Sequence, residues 1–283
     1  MNRILHVVPG LGEKWNGISV AARLFAKEQG SRLIEAKEVT RAEITASDEI
    51  WVHSTWSWRV WRACILAVAE GKRLVRMTHG NLDPVRRRYH AWKKLLAGPV
   101  ERFLLRRASC IVVACEAEKE WIKEYLGKRC PQIEVTNMKR FFKLSCEMQV
   151  PSNNGEPIHL LYLGRSHPLK GLEYLEKAVK ELSSDPKPEL RIVSNAFGEE
   201  KEKVWEWCDV FILPTLSDNF GLVIAEALEH GKRVITTDGA PAWDDGKDYA
   251  GRLIYIRGYR DGSSEDRVRL LKEALARVVN LGK

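Results

Sequence analysis

Short apolar runs alternate with amphipathic stretches along most of the chain. The runs Ile4–Val8, Cys110–Ala114 and Val210–Leu213 are short and almost continuously apolar, which is typical of strands buried on both faces of a parallel sheet. Between them, stretches such as Glu116–Leu126 repeat their apolar positions with a helical period. This alternation predicts parallel sheets with helices on both faces. Further strands are predicted at Ile50–His53, Arg73–Met77, Ile133–Thr136, Ile158–Leu163, Leu190–Ser194 and Arg233–Thr237, and further helices at Ile18–Gln29, Ser57–Ala69, Val85–Arg107, Leu172–Leu182, Leu222–His230 and Ser264–Val279.

The alternation is interrupted once, by the polar, turn-rich segment Pro151–Pro157. A chain of 283 residues is long enough for two domains. We therefore predict an α/β protein with two Rossmann-like, doubly wound parallel-sheet domains, residues 1–150 and 151–283. Ligands of such sheets bind beyond the carboxyl ends of the strands, so the predicted site is a cleft between the domains.

The segment Asp209–Gly231 is the most informative part of the chain. It combines a buried strand, a loop that carries Asp218, and a helix that carries Glu226. Ser217, Asp218 and Asn219 are N-cap residue types, so they predict that the helix begins there. A helix N-terminus attracts phosphate, and nearby carboxylates can bind hydroxyl groups. A sugar nucleotide is a ligand that has both phosphate and hydroxyl groups.

A second loop, Gly164–Gly171, directly follows the predicted strand Ile158–Leu163. Its cations Arg165 and Lys170 stand before a helix, where positive charge opposes the helix dipole. A diphosphate would satisfy both cations, because Arg can bind it with two parallel hydrogen bonds and Lys adds a compact charge. The alternative is an ordinary surface loop with two solvated cations.

In the first half, glycine or histidine residues stand at or after the ends of three predicted strands. Gly17 lies in the loop after the first strand, which contains neither a GxGxxG nor a GK[ST] motif. His79-Gly80 and His53 stand at strand ends, where an imidazole could contact a ligand, although a single His is more often structural. His6 is predicted to be a core residue.

Charge and composition narrow the class of protein. The net charge of +8 is compatible with a solvated basic surface or with an anionic partner. The six cysteines have no zinc-ligand spacing and are predicted to be reduced core thiols in the cytoplasm. No metal-ligand grouping, signal peptide or run of about 20 apolar residues occurs.

Residues 86–107 are strongly basic and contain aromatic residues such as Tyr89 and Trp92. Aromatic residues among cations on an amphipathic helix favour an anionic membrane surface. A solvated helix face is the alternative. Nucleic acid is not predicted, because no RRM, KH, zinc-finger or basic-zipper pattern accompanies the cations.

Taken together, these segments resemble the GT-B glycosyltransferases of family 4, which are retaining, nucleotide-sugar-dependent enzymes. The resemblance rests on Gly17, His79-Gly80, Ala114–Glu120, Gly164-Arg165 with Lys170-Gly171, Asp209–Gly231 and Ile235–Trp243. The segment His79–Pro84, with the basic helix after it, also resembles bacterial members that build lipopolysaccharide or other surface glycans. The chain departs from the family where Asp218 replaces the usual Glu, where Val135–Lys139 replaces a proline-asparagine-glycine turn, and in a shortened second domain.

The resemblance implies a metal-independent transfer of sugar from a nucleotide diphosphate donor, UDP- or GDP-linked, to a glycan or lipid-linked acceptor. Arg165 and Lys170 would bind the diphosphate, Glu226 the ribose and Asp218 the donor sugar. His79 would contact sugar or acceptor from the other domain. The remaining donor-site residues implied are Gly17, Gly164, Asn219, Phe220, Gly221 and Leu222.

Two other functions remain open at this point. A GT-B relative such as an epimerase would use the nucleotide sugar without transferring it, and a binding subunit would only hold it. The implied location of the transferase is cytoplasmic, with peripheral contact at the inner face of the plasma membrane.

Overall fold

The computed structural model describes residues 3–11, 17–144, 156–194, 196–247 and 249–279. The chain divides into two compact units, Met1–Met138 and Lys139–Lys283. Most of the predicted linker, and the predicted boundary between residues 150 and 151, lie outside the described residues, so that boundary stays a prediction.

The first unit contains a parallel sheet in the order β2-β1-β3-β4-β5-β6. Its strands are β1 Ile4–Val8, β2 Arg32–Glu35, β3 Glu49–His53, β4 Arg73–Met77, β5 Cys110–Val113 and β6 Ile133–Val135. Its helices are α1 Gly17–Glu28, α2 Arg41–Thr45, α3 Trp58–Ala69, α4 Pro84–Arg88, α5 Ala91–Arg106 and α6 Glu116–Leu126.

The second unit contains a parallel sheet in the order β11-β10-β9-β7-β8. Its strands are β7 His159–Leu163, β8 Glu189–Val193, β9 Val210–Leu213, β10 Arg233–Thr237 and β11 Leu253–Ile256. Its helices are α7 Leu172–Lys180, α8 Gly198–Trp207, α9 Leu222–Glu229 and α10 Ser264–Val279. The chain leaves β7 toward β8 on one side and returns to β9 on the other, so the strand order reverses between β7 and β9. Such a reversal is where open α/β sheets bind ligands.

The central strands are buried on both faces, and apolar side chains supply most of the core around them. In the first sheet, Leu5, Val7, Ile50 and Val52 contribute to one continuous core. Four described cysteines, Cys64, Cys110, Cys115 and Cys208, are buried and form no disulfide within the described ranges, and burial raises the pKa of Cys64 to about 11. These thiols are therefore apolar core groups.

The predicted helix Val85–Arg107 is wrong as a single element, since the structure divides it into α4 and α5. The chain breaks at Tyr89 and His90, where His90 adopts a left-handed backbone with φ of 52°. A non-glycine residue at positive φ cannot continue an α-helix. The Lys94 ammonium bridges the break by donating to the Arg86 carbonyl.

Candidate active site

Three loops meet at the carboxyl edge of the second sheet. They follow β7, β9 and β10, and β9 lies between the other two strands in the sheet. The Leu216 amide donates to the Leu169 carbonyl at 2.8 Å, and the Asp218 amide donates to the Gly239 carbonyl at 2.7 Å. The loop after β9 is therefore tied to both of its neighbours through the backbone.

Two glycines allow this close approach. A Cβ on Gly171 would lie 2.0 Å from the Pro214 carbonyl oxygen, and one on Gly239 would lie 1.9 Å from the Thr215 carbonyl oxygen. Gly171 also has φ of +66°, which side chains rarely adopt. No other residue type could occupy these positions without moving a loop.

Helix α9 begins at Leu222, and its N-cap is Gly221 at φ 65° without a side-chain cap. The expectation that Ser217, Asp218 or Asn219 caps the helix is therefore wrong. The left-handed turn at Gly221 starts the helix later, and the preceding residues form the loop. The Trp243 indole N–H donates to the Phe220 carbonyl and so anchors this turn.

The Lys170 ammonium and the Asp218 carboxylate form an ion pair in this loop cluster. Their side chains retain 16% and 20% of their exposure, so both remain accessible. The structure thus brings together two of the predicted site residues, which lie 48 positions apart in the sequence. Because Asp218 is held through its amide by Gly239, the pair fixes the position of the Lys170 ammonium.

Arg165 and Gly164 lie at the exit of β7. The Tyr162 hydroxyl donates to the Arg165 carbonyl at 2.9 Å and so fixes the backbone there. Burial, followed by the Asp218 charge, raises the pKa of Tyr162 to about 12, so it remains a donor. The Arg165 side chain is exposed and forms no ion pair with any residue that the structure describes.

Glu226 lies on the second turn of α9, downstream of Asn219, Phe220, Gly221 and Leu222 in the same segment. Its Oε2 accepts from the Lys201 ammonium at 2.6 Å. The two side chains are 23% and 26% exposed. A carboxylate has about four acceptor positions, so this pair leaves capacity for further donors. Lys201, on α8, was not predicted, because the lysine-glutamate-rich sequence around it resembles any solvated helix.

In the first unit, His79 lies two residues beyond β4 with φ of 52°. Glu118, which is fully buried, holds this turn: its Oε1 accepts from the Thr78 hydroxyl and the Gly80 amide, both at 2.6 Å. Its Oε2 accepts from the Ala114 amide at 3.0 Å. Glu118 therefore joins the ends of β4 and β5 and positions His79.

Gly17 is the first residue of α1 and is exposed. The loop before it, residues 12–16, lies outside the described residues. His53 is completely buried on β3, and its Nδ1 lies 2.9 Å from His79 Nε2. The contributions of Gly17 and His79 to a ligand in the other unit stay predictions.

Within the ranges given above, no group of three or more His, Cys, Asp or Glu side chains is placed to hold a metal ion. Over the same ranges, no helix is long and apolar enough to cross a bilayer.

Comparisons with known proteins agree with this architecture. Residues 16–137 match the family model of the glycosyl transferase 4-like domain, and residues 187–273 match that of the glycosyl transferases group 1. No curated protein sequence matches the chain significantly.

Solved structures share the fold at low sequence identity. HepE from Anabaena, in complex with UDP-glucose, superimposes with a TM-score of 0.69 at 15% identity, covering 99% of this chain and 92% of that one. Sucrose-phosphate synthase from Thermosynechococcus elongatus gives 0.67 at 13% identity, covering 98% and 90%. The structure of trehalose-6-phosphate from E. coli bound with UDP-2-fluoro glucose gives a TM-score of 0.59 at 11% identity, covering 99% of this chain and 97% of that one.

The fold is that of the GT-B glycosyltransferases, as predicted. Each unit therefore carries a match to a glycosyltransferase domain, and the chain shares the fold of the GT-B structures.

Proposed function

We propose that this chain is a retaining glycosyltransferase of family 4 that moves a sugar from a nucleotide diphosphate donor to a glycan acceptor. A lipopolysaccharide core or another lipid-linked surface glycan is the proposed acceptor. The observation that carries the proposal is the Lys170–Asp218 pair beside the start of α9, at the reversal point between β7 and β9.

The proposed chemistry uses fixed charge at the leaving group. A Lys ammonium has three donors, so Lys170 can keep its bond to Asp218 and still donate to a diphosphate. The N-terminus of α9 adds partial positive charge, and the exposed Arg165 can close over the same anion. Fixed donors of this kind stabilise charge as it develops on the departing diphosphate, and the proposal needs no metal ion.

In this proposal the acceptor hydroxyl attacks the anomeric carbon on the same face from which the nucleotide departs. The anomeric configuration is therefore retained. The departing diphosphate oxygen accepts the proton of the acceptor hydroxyl as the new glycosidic bond forms. Glu226 holds the ribose hydroxyls with the acceptor positions that Lys201 leaves available, while Asp218 and the backbone amides of Asn219–Gly221 hold the sugar. We also propose that His79 contacts the sugar or the acceptor and that Gly17 lets the diphosphate or the sugar approach.

The proposal of a UDP-linked donor is supported by the relatives. HepE was solved with UDP-glucose, and the E. coli protein with UDP-2-fluoro glucose. A GDP-linked donor is the second candidate for this chain.

Incubation with UDP-, GDP-, ADP- and CMP-linked sugars tests the proposal. We expect one donor to release free nucleotide diphosphate, faster when a glycan acceptor is present. An isomerised donor would instead indicate an epimerase. Binding without any product would indicate a binding subunit and contradict the proposal.

A matched pair of variants locates the site. Lys170→Ala should weaken donor binding by about tenfold or more, as expected for loss of a charged hydrogen bond. Lys177→Ala removes an exposed lysine from α7, seven residues away, and should leave turnover unchanged. Equal turnover in both variants would remove Lys170 from the site.

We further propose that the first unit contacts an anionic membrane surface through α4 and α5. Helix α5 exposes large apolar side chains, with Trp92 64%, Leu95 78%, Leu96 73% and Phe103 53% exposed. Exposed cations flank them, among them Arg88, Lys93 and Arg107. A cavity of about 510 Å³ lies alongside, lined by Pro99, Arg102, Phe103, Arg106, Arg107 and Arg129. Apolar side chains ringed by cations fit lipid tails and anionic headgroups respectively.

Vesicle flotation distinguishes this surface from an ordinary solvated face. The chain should bind phosphatidylglycerol-rich vesicles and not phosphatidylcholine vesicles. The double variant Leu95→Ser/Leu96→Ser and the double variant Arg88→Glu/Lys93→Glu should each abolish binding. Unchanged binding by both variants would contradict the proposal.

A further inference from the structure

Three histidines and one glutamine form a continuous hydrogen-bonded line in the first unit. Gln29 Oε1 lies 2.8 Å from His6 Nε2, and His6 Nδ1 lies 2.9 Å from His53 Nε2. His53 Nδ1 in turn lies 2.9 Å from His79 Nε2. We call Gln29, His6, His53 and His79 the histidine relay.

The register of the sheet creates this line. His6 on β1 pairs with Trp51 on β3, and His53 is two residues further along that strand. His53 pairs with Met77 on β4, and His79 is again two residues further. Side chains two residues apart share a face of a strand, so Trp51 and His53 lie on the face that carries His6. His79, in the turn after β4, continues the line at the carboxyl edge. Consecutive ring centroids are 5.2 Å apart.

The three rings are neutral near pH 7. Burial lowers the pKa of His6 to about 4, against the opposing effect of its bond to Gln29. Burial also lowers the pKa of His53 well below its usual range, and burial together with the Arg86 charge lowers that of His79 to about 4. A neutral imidazole has one donor and one acceptor nitrogen.

One atom sets the direction of the whole relay. The Gln29 amide oxygen can only accept, so His6 Nε2 carries a proton and His6 Nδ1 accepts from His53 Nε2–H. By the same rule, His53 Nδ1 accepts from His79 Nε2–H. His79 Nδ1 is then left with a lone pair, and this atom makes no hydrogen bond within the described part of the chain.

We propose that the relay fixes His79 as its Nε2–H tautomer, so that Nδ1 offers a lone pair to a hydroxyl group of a bound ligand. Gln29, His6 and His53 are then positioning residues. A neutral acceptor at this edge selects hydroxyl donors and disfavours anions such as phosphate, because it has no proton to give them. The identification of this ligand as the sugar of the donor or the acceptor rests on the proposed function.

The tautomers can be measured without any substrate. Long-range ¹⁵N–¹H correlation spectra of the labelled full chain distinguish Nε2–H from Nδ1–H rings. At pH 8 we expect all three relay histidines in the Nε2–H form, assigned by single His→Gln variants. An Nδ1–H signal for His79 would overturn the proposal, whatever the enzyme assay shows.

Substitution of Gln29, a part-buried residue just after α1, tests the direction. Gln29→Glu keeps an acceptor oxygen, so His79 should remain Nε2–H. Gln29→Lys presents only donors, so the rings should reverse or His79 should become a mixture of tautomers. An unchanged His79 in folded Gln29→Lys would contradict the relay; if that variant does not fold, the wild-type spectrum still decides.

Kinetics then connect the relay to the ligand. Relative to Gln29→Glu, Gln29→Lys should lower kcat/KM by about tenfold, the size expected for one misdirected hydrogen bond. Equal kcat/KM with a reversed tautomer would refute the hydroxyl contact. A chain with no transferase activity would leave the tautomer result valid and refute only the proposed function.

Discussion

The two units build the carboxyl edges of their sheets in opposite ways. In the first unit, the polar groups behind the edge are fully buried, as with His6, His53 and the Arg76–Glu101 ion pair. In the second unit, the charged side chains keep 16–26% of their exposure, and backbone contacts permitted by glycine hold the loops. The polar groups behind the first edge are thus part of the interior, whereas those at the second edge are accessible charges on a rigid backbone. Substitutions behind the first edge should therefore cost stability, and substitutions at the second edge should cost ligand binding.

The largest expected loss of stability comes from breaking the buried Arg76–Glu101 ion pair. Arg76 donates to Glu101 Oε1 at 2.8 Å with both side chains 0% exposed. Glu101→Gln should lower the free energy of unfolding of the first unit by about 3–5 kcal/mol, because the Arg76 charge is left unpaired in the interior. The exposed pair Arg87–Glu124 provides the control, and Glu124→Gln should cost at most about 1 kcal/mol. Urea unfolding measures both, and equal losses would break the comparison.

The second effect is a pH dependence of the free energy of unfolding of the first unit. The pKa of His6 is about 4 in the folded chain and 6.5 ordinarily. Between those values the unfolded chain binds a proton that the folded chain does not, so stability falls as pH falls and is constant above this range. For His6 alone the loss is about 3 kcal/mol. Urea unfolding from pH 7 to 4 should show it, and His6→Gln should flatten the slope; an identical slope would assign the loss elsewhere.

A third prediction concerns the backbone of the second edge. Gly171→Ala should cost about 1–3 kcal/mol, because the new methyl would meet the Pro214 carbonyl at positive φ. Gly258 has φ of +75° with nothing within 4 Å of its Cβ position, so Gly258→Ala isolates the backbone strain. Thermal unfolding of both variants measures the difference. Equal losses would mean that the loops can move apart freely.

The smallest effect on stability is expected at Glu226. Glu226→Gln should raise the KM for the nucleotide sugar about tenfold, since a carboxylate accepts hydrogen bonds more strongly than an amide. The free energy of unfolding should change by no more than about 0.5 kcal/mol, as for other accessible positions. Glu206→Gln, an exposed residue on α8, should change neither quantity. An unfolded Glu226→Gln protein would favour a structural role instead.

The sequence predicts the central strands well because short, nearly continuous apolar runs are typical of strands buried in a parallel sheet. Ile4–Val8, Arg73–Met77, Val210–Leu213 and Arg233–Thr237 have the predicted bounds. The strands β2 and β11, at the sheet edges, were not predicted: β2 has only two apolar residues, Leu33 and Ile34, and β11 is an apolar run of only four residues. Helix α8 was missed for a related reason: Val204 and Trp205 are its buried residues, and its other positions are mostly charged.

The site was predictable where chemistry is local in the sequence and not where it depends on register. Asp218, Glu226 and Lys170 could be proposed from their loops. The histidine relay could not, because His6 and His53 lie 47 positions apart and His53 and His79 lie 26 apart. Only the pairing of β1, β3 and β4 shows that their rings touch.

The Glu118 carboxylate limits how this sequence can drift over evolutionary time. One oxygen serves both Thr78 and Gly80, and the other serves the Ala114 amide. A glutamine would fit the same volume but would turn an amide NH₂ toward one of these donors. We therefore expect position 118 to reject even its closest isostere, and position 78 to exchange only between hydroxyl-bearing residues, in any descendant that keeps the His79 turn.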